Sequence, residues 1–394
     1  MIYSNIIKNN YYDIAVCGGG FAGISAALAA AREGKKVILF EKEYILGGLG
    51  TAGLVTIFLP LCDGMGHQVS FGIAEELFRL SIKYGAEDKY PENWLDGVGT
   101  RTENDKRFQV RYNAQVFAIL VEQLLTESGV DILYGSYVIN SFVNDNKIEY
   151  ITVANKSGII DYHVKAVVDA TGDADIAKFS GAPTETYKPG NLLAAWYYYT
   201  DHEGYDLKIL GKSKVPKILP EGKEHEMYQN TYSGLDAEEL SAMTRKAHDQ
   251  ILHNWIARRN KNPETVISTL ATIPQVRMTR RIVGEYTMAY GEMHKRFDDS
   301  IGMVSDWRKR GPIFEVPFRT LYNSSVKNLI MAGRCTSVDD ELWDVMRVIP
   351  CCAVTGQAAG VAAAMTDDFT NINIKDLQNK LESNGVVLHE DSII

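Results

Sequence analysis

Near the start of the chain, YDIAVCGGGFAGISAALAAAREGKKVILFEK (12–42) places three glycines between an apolar run and an alanine-rich segment. The spacing constrains the fold closely. Ile14 to Cys17 is short, apolar and β-branched, as a buried parallel strand requires. Gly18, Gly20 and Gly23 form G-x-G-x-x-G, and Ile24 to Arg32 are helix formers with Gly34 just beyond them. Val37 to Phe40 reads as a second strand, and Glu41 follows it, 18 residues after Gly23. The first glycine permits the tight turn, the second lets a pyrophosphate approach the backbone, and the third lets helix and strand pack closely. Helix N-terminal N–H groups then face the phosphates, where the helix dipole favours negative charge. Glu41 would accept hydrogen bonds from ribose hydroxyls and repel a 2′-phosphate. Strand, helix, second strand and acid at these offsets predict a βαβ nucleotide-binding unit, where a lone glycine motif would be weak evidence.

This motif does not separate NAD from FAD; later segments bear on that choice. GGLGTAG (47–53) is a loop able to run flat against a bulky ligand, with the Thr51 hydroxyl in its middle. AVVDATGDADIAKF (166–179) supplies a strand, an Ala-Thr-Gly turn and an acidic helix start. NLIMAGR (328–334) is a strand ending in Ala-Gly-Arg, followed by MRVIPCCAVTGQAAGVAAAM (346–365). That last stretch reads as a helix beginning near Pro350, with so little side-chain volume that a neighbouring backbone can come very near. No second G-x-G-x-x-G occurs, so a built-in nicotinamide domain is not expected and electrons would come from the substrate or an external carrier.

Together these segments resemble the glutathione-reductase-type FAD-binding fold. More narrowly, the set is similar to an FAD-dependent oxidoreductase family ending in AGR…RVIP…GQAAGVAAA, over about residues 12–365. RMTRRIVGEY (277–286) and FEVPFRTLY (314–322) add to the resemblance. It implies an α/β, Rossmann-like FAD/NAD(P)-binding fold with a parallel sheet and an inserted α+β substrate or capping domain. The expected boundaries are 1–183 and 313–394 for the FAD-binding domain and 184–312 for the insert. It also implies a cofactor path. Gly18, Gly20, Phe21, Ala22 and Gly23 would hold the pyrophosphate, and Glu41 the adenosine ribose with Lys42 beside the adenine. Gly48, Leu49, Gly50 and Thr51 would run along the ribityl chain and flavin, and Val138 would meet the adenine. Ala170, Thr171 and Gly172 would close over the dinucleotide. Gly333 and Arg334 lie where many proteins of this fold have Gly-Asp. Thr355, Gly356, Gln357 and Ala358 would aim a helix end at the flavin C2 carbonyl, where one good donor is worth roughly 3 kcal/mol.

For the reaction itself, Arg347 is the first candidate for a pocket cation binding a substrate carboxylate or oxyanion, or else it ties the helix start to a neighbouring carboxylate. His67, in CDGMGHQVSFG (62–72), is the candidate proton relay. Arg280, Arg281 and Tyr322 are weaker candidates. Cys335, Cys351 and Cys352 lack the spacing of redox pairs and read as small buried side chains. Between 184 and 312, Trp196 to Tyr199 reads as a strand presenting its rings alternately to pocket and core, and 236–259 as a helix.

The 394 residues carry a net charge of −9, and with no basic tract this argues against nucleic acid as a partner. No stretch approaches the ~20 apolar residues of a membrane span, so no membrane partner and a cytoplasmic location are expected. The five cysteines show no CxxC spacing, so no metal is expected. The resulting expectation is an FAD-dependent oxidoreductase moving a hydride between flavin and a small polar metabolite, with an external electron donor or acceptor. A homo-oligomer is compatible with it. The alternatives are an FAD-binding subunit of a larger complex without turnover of its own, and an NAD-dependent dehydrogenase.

Overall fold

The computed structural model describes residues 10–86, 109–211 and 230–393. Its principal sheet is built from the segments the sequence marks as apolar strands. Strand β1 (Tyr11–Cys17) leads through the glycine turn into helix α1 (Phe21–Arg32) and back to β2 (Val37–Phe40). Helix α2 (Ala114–Glu127) precedes β3 (Asp131–Leu133), and a meander follows: β4 (Tyr137–Asn144), β5 (Lys147–Asn155) and β6 (Gly158–Asp169). With β10 (Leu329–Met331) these make a seven-stranded sheet of order β3-β2-β1-β6-β5-β4, with β10 against β6.

Strand β6 does two jobs. Its first half pairs antiparallel with β5, as Tyr150 opposite His163, and its second half runs parallel between β1 and β10. The parallel register sets Cys17 beside both Phe40 and Asp169, and Met331 beside Asp169. Four strand ends therefore finish at one level, and the glycine turn, Glu41, the Ala-Thr-Gly turn and Gly333 all emerge there. In open α/β sheets this carboxyl edge is where ligands bind.

Two apolar helices cover one sheet face. Helix α1 is buried from Phe21 to Ala30. Helix α5 (Ile349–Met365), preceded by the short α4 (Asp340–Met346), is buried from Pro350 to Ala364 except at Cys352. An all-round apolar helix belongs inside a core, and these two pack on each other. A Cβ on Gly356 would lie 2.2 Å from the Ala22 carbonyl oxygen, and one on Gly360 2.2 Å from that of Ala26. Small residues four apart on both helices thus bring the two backbones into contact. Among the described residues no single helix is long and apolar enough to cross a membrane.

The inserted segment forms a separate layer. Strands β7 (Tyr197–Asp201), β8 (Gly204–Lys208) and β9 (Val266–Leu270) make an antiparallel sheet with β7 central. Helix α3 (Ala237–Arg259) is capped by Asp236, which accepts the Glu239 N–H at 2.8 Å. Alternation sorts the aromatic run: Tyr197 and Tyr199 pack with Met243 and Ile251 of α3, whereas Trp196 and Tyr198 pack with Leu54 and Leu207. This local core reaches Val276. Met278, Met288, Tyr290, Ile301 and Val304 join the main core instead. The insert's own packing therefore ends well short of residue 312.

Candidate functional site

The carboxyl edge of the sheet opens on a cavity of about 900 Å³. Its floor is the glycine turn, with Gly18, Gly20, Phe21 and Ala22. Glu41, Lys42 and Val138 line one part, and Gly48, Leu49 and Gly50 another. Ala170, Thr171, Gly172, Gly333 and Arg334 complete the sheet side. The insert contributes Trp196, Leu240, Ile273, Val276 and Arg277, and the start of α5 contributes Val348, Ile349 and Cys352.

Each turn is held by identifiable bonds. Gly18 has φ +105°, and a Cβ there would lie 2.4 Å from the Ala170 carbonyl oxygen. Gly23 lies behind the turn, outside the lining, because a Cβ on it would meet the Gly18 carbonyl oxygen at 1.8 Å. Its role is helix–strand packing. Glu41 is buried; its Oε2 accepts the Gly19 N–H at 2.7 Å and its Oε1 accepts the Glu43 N–H at 2.8 Å. Burial raises its carboxyl above the usual range, against the lowering by those two N–H groups. The carboxylate expected to accept ribose hydroxyls thus also accepts backbone N–H groups of the turns around it.

Asp169 supports the Ala-Thr-Gly turn from below. Its Oδ1 accepts the Thr171 N–H (3.1 Å) and hydroxyl (2.6 Å), and its Oδ2 accepts the N–H groups of Ile176 (2.9 Å) and Ala177 (3.1 Å). Gly172 is covered by the Arg334 guanidinium, whose Nη1 lies 2.1 Å from where a Cβ would stand. Arg334 in turn donates to Asp173 at 2.9 Å.

Several expected contacts are corrected. Thr51 turns away from the cavity: its hydroxyl donates to the Leu46 carbonyl at 2.5 Å, and it is buried. Thr355, Gly356, Gln357 and Ala358 are not the amino end of α5 and do not line the cavity. The helix begins at Ile349, so they lie one and a half to two and a half turns along it. Thr355 there accepts the Gly333 N–H at 2.9 Å, Gly356 meets Ala22, and Gln357 accepts the Ile73 N–H at 2.8 Å. His67 also lies off the cavity, with its Nδ1 2.9 Å from Asp63 Oδ2. If it were the general acid, its loss would cost roughly 10²–10⁴-fold. We expect His67→Ala to change turnover by no more than about twofold, a fraction of that range, in steady-state assays.

Arg280 donates to the Asp173 carbonyl (2.8 Å) and to Asp175 (2.6 Å), and Arg281 to Glu185 (2.6 Å); neither lines the cavity. Tyr322 is buried in the core. Cys352 reaches the cavity wall, but burial pushes its thiol up to about 11, so it is not a ready thiolate. Arg347 does line the cavity, and it is also ion-paired, with Nε 2.9 Å from Asp344 Oδ1. The tie to a neighbouring carboxylate is thus present, on a side chain that also faces the cavity. Arg277, at the start of the segment 277–286, lines the cavity, whereas Arg280 and Arg281 belong to a strand paired with residues 184–186.

An elongated dinucleotide fits these residues. A Cβ on Gly20 would meet no other atom within 4 Å, so it would project into the cavity. Helix α1 has no side-chain cap and no acid in its first turn, which leaves its amino end free for an anion. Helix α5 likewise begins without a side-chain cap or an acid, with Pro350 in its first turn. A family model described as FAD dependent oxidoreductase matches residues 13–192 and 186–381. The chain belongs to the FAD-dependent oxidoreductase family. Its cofactor is accordingly FAD, its class is redox enzyme, and the nicotinamide alternative is set aside.

This oxidoreductase is 24% identical over 315 residues to tRNA uridine 5-carboxymethylaminomethyl modification enzyme MnmG 1 of Fusobacterium nucleatum, covering 73% of this chain and 45% of that one. It is 29% identical over 200 residues to digeranylgeranylglycerophospholipid reductase of Picrophilus torridus, covering 48% and 46%. The chain thus spans about half the length of these curated relatives. Among solved structures, a geranylgeranyl bacteriochlorophyll reductase-like protein of Thermoplasma acidophilum is similar with TM-score 0.44 and 13% identity, covering 95% of this chain and 82% of that one.

The glycine turn gives a sharp separation of binding from folding. Gly20 has φ −73° and ψ 178°, which any residue adopts, and open space above it. Gly20→Val is expected to change stability by at most about 1 kcal/mol, the scale of an exchanged N-cap. Its FAD content, read from absorbance after desalting, is expected to fall below about a tenth of wild type, since a tenfold change needs only ~1.4 kcal/mol.

Proposed function

We propose that this oxidoreductase transfers a hydride between FAD and a small metabolite held under the insert, with an external donor or acceptor completing the cycle. The observation that carries the proposal is the continuity of the cavity. The same space is lined by the glycine turn and by apolar insert residues, so a site for a dinucleotide runs on into a site for a second molecule. When bound, the flavin supplies the two-electron chemistry.

The chain's own residues do the rest. Gly20 and the amino end of α1 would hold the pyrophosphate, and Glu41, Lys42 and Val138 the adenosine end. Val348 and Ile349 bring the uncapped start of α5 to the cavity, where its N–H groups favour negative charge on a neighbouring ring. Trp196, Leu240 and Ile273 exclude water from the substrate side. Among the described residues no histidine lines the cavity. Any proton exchange would therefore involve solvent or one of the lining acids and lysines, of which Asp344 and Lys309 lie nearest in sequence to Arg347 and Trp307.

Protein purified with its FAD is expected to bleach under nitrogen with at least one member of a metabolite panel, or, once reduced, to reoxidise with one. A flavin inert in both directions to every metabolite would favour a cofactor-bearing subunit without turnover. For such a subunit acting on tRNA, the net charge of −9 offers little to a polyanion.

A further inference from the structure

The cofactor path leaves Arg277, in the cavity wall, without a task. Its backbone is fixed: Asn191 Oδ1 accepts the N–H groups of Arg277 and Met278, both at 3.1 Å, and Asn191 Nδ2 donates to the Met278 carbonyl at 2.6 Å. Its guanidinium lies over the Trp196 ring, 5.0 Å from the centroid. The Nε and Nη2 atoms are buried and donate to nothing among the described residues. The nearby carboxylate of Asp344 is engaged elsewhere, by Arg347 at 2.9 Å and by Arg308 at 3.3 Å. Burial, and Arg347 beside it, push the Arg277 guanidinium down to about 9, against the opposite pull of Asp344, and it stays charged at neutral pH.

A buried guanidinium with open donors is costly unless an acceptor arrives. The guanidinium fork matches a carboxylate in a bidentate pair. The insert's share of the same cavity wall is largely apolar, with Trp196, Leu240, Ile273 and Val276. We infer that the substrate of this oxidoreductase is an organic carboxylate, with its carboxylate on Arg277 and its apolar body against Trp196, Ile273 and Val276. This inference rests on the proposed function and names the class of molecule for that site.

The test uses the FAD-loaded enzyme and follows the flavin difference spectrum, with thermal midpoint as a second readout. The probes are phenylacetate, straight-chain monocarboxylates from acetate to decanoate, and phenylacetamide as the neutral isostere. At least one carboxylate is expected to bind, with phenylacetamide at least about tenfold weaker than phenylacetate. Arg277→Met is expected to weaken carboxylate binding about 10²-fold, the scale for truncating one partner of a buried charge pair, with FAD content unchanged. Should the methionine variant fail to fold, Arg277→Lys keeps the charge but loses the fork, and about tenfold weakening is expected.

Three results would overturn the inference: no carboxylate binds, acid and amide bind alike, or the Arg277 variants fold but lose FAD, which would assign the guanidinium to the cofactor. Failure of the functional proposal reads differently. Carboxylates would then bind in an Arg277-dependent way while the flavin stays inert to all of them.

Discussion

Gly356→Leu is expected to cost the protein both its FAD and at least about 3 kcal/mol of stability, the upper end for an overfilled core. A Cβ at this position would lie 2.2 Å from the Ala22 carbonyl oxygen, 3.0 Å from the Ala22 carbonyl carbon and 2.9 Å from Ser25 Cβ. Two of these are backbone atoms and cannot swing aside, so α1 must move as a body or α5 must leave it. Either displacement shifts the amino end of α1, which forms the floor of the cavity. Stability and binding should therefore fall together, in contrast to Gly20→Val, where only binding falls. Urea unfolding followed by circular dichroism, beside flavin absorbance of the desalted protein, separates the two. A leucine variant that kept its midpoint and its FAD would show that the helices do not meet at this distance.

Asp169→Asn is expected to destabilise the protein by about 2–4 kcal/mol at neutral pH. The carboxylate accepts four hydrogen bonds in a fully buried position. An asparagine amide would turn its NH₂ toward two of those donors, and each buried donor left unpaired costs about 1–3 kcal/mol. The Ala-Thr-Gly turn and the helix start at Asp175 would loosen together, so FAD affinity should fall as well.

The pH dependence adds a second check. Burial raises the Asp169 carboxyl from 3.8 to about 6, against the lowering by the Thr171 hydroxyl and with a smaller raising contribution from Asp175. The folded state thus binds more protons than the unfolded state between about pH 4 and 6, and stability from this group falls as pH rises through that window. The deficit of the asparagine variant, measured as a difference in unfolding free energy, should be largest near pH 4 and shrink toward pH 7. A deficit that grew with pH would mean that the hydrogen bonds outweigh burial and that the carboxyl is lowered instead.

What sequence spacing encodes is local, and it was legible where the structure is local. The run from β1 through α1 to β2, the Ala-Thr-Gly turn after β6 and the apolar α5 all follow from patterns within about twenty residues. Val37–Phe40 has the same bounds in sequence and structure, and the start of α5 differs by one residue. The alternation of Trp196 to Tyr199 also follows, because a strand has period two, but it sorts the rings between two local cores and of the four only Trp196 lines the cavity.

The misses have two physical origins, distant partners and local turns that point a side chain away from the cavity. Gln357 is a plausible ligand until it meets Ile73 across 284 residues, and Thr51 until the Leu46 carbonyl in its own loop takes its hydroxyl. Thr355 to Ala358 were expected at the amino end of α5, yet the helix begins at Ile349 and Gly356 serves the contact with α1. His67 is paired with Asp63, a partner only four residues away that was visible in sequence; what spacing could not show is that this loop faces away from the cavity. Asp169 and Arg277 were hidden for opposite reasons. Asp169 collects donors that only the folded turn brings together, and Arg277 is notable for acceptors it lacks.

The central claim is that one cavity takes FAD along the glycine turns and continues beneath the insert to a second molecule. A crystal structure of the protein purified with its FAD tests it most directly. The expected result is density for the dinucleotide from Glu41 past Gly20 to the start of α5 at Val348, with open space left between the flavin and Trp196. Density for FAD placed elsewhere, or a flavin packed directly on the insert with no room beside it, would contradict it.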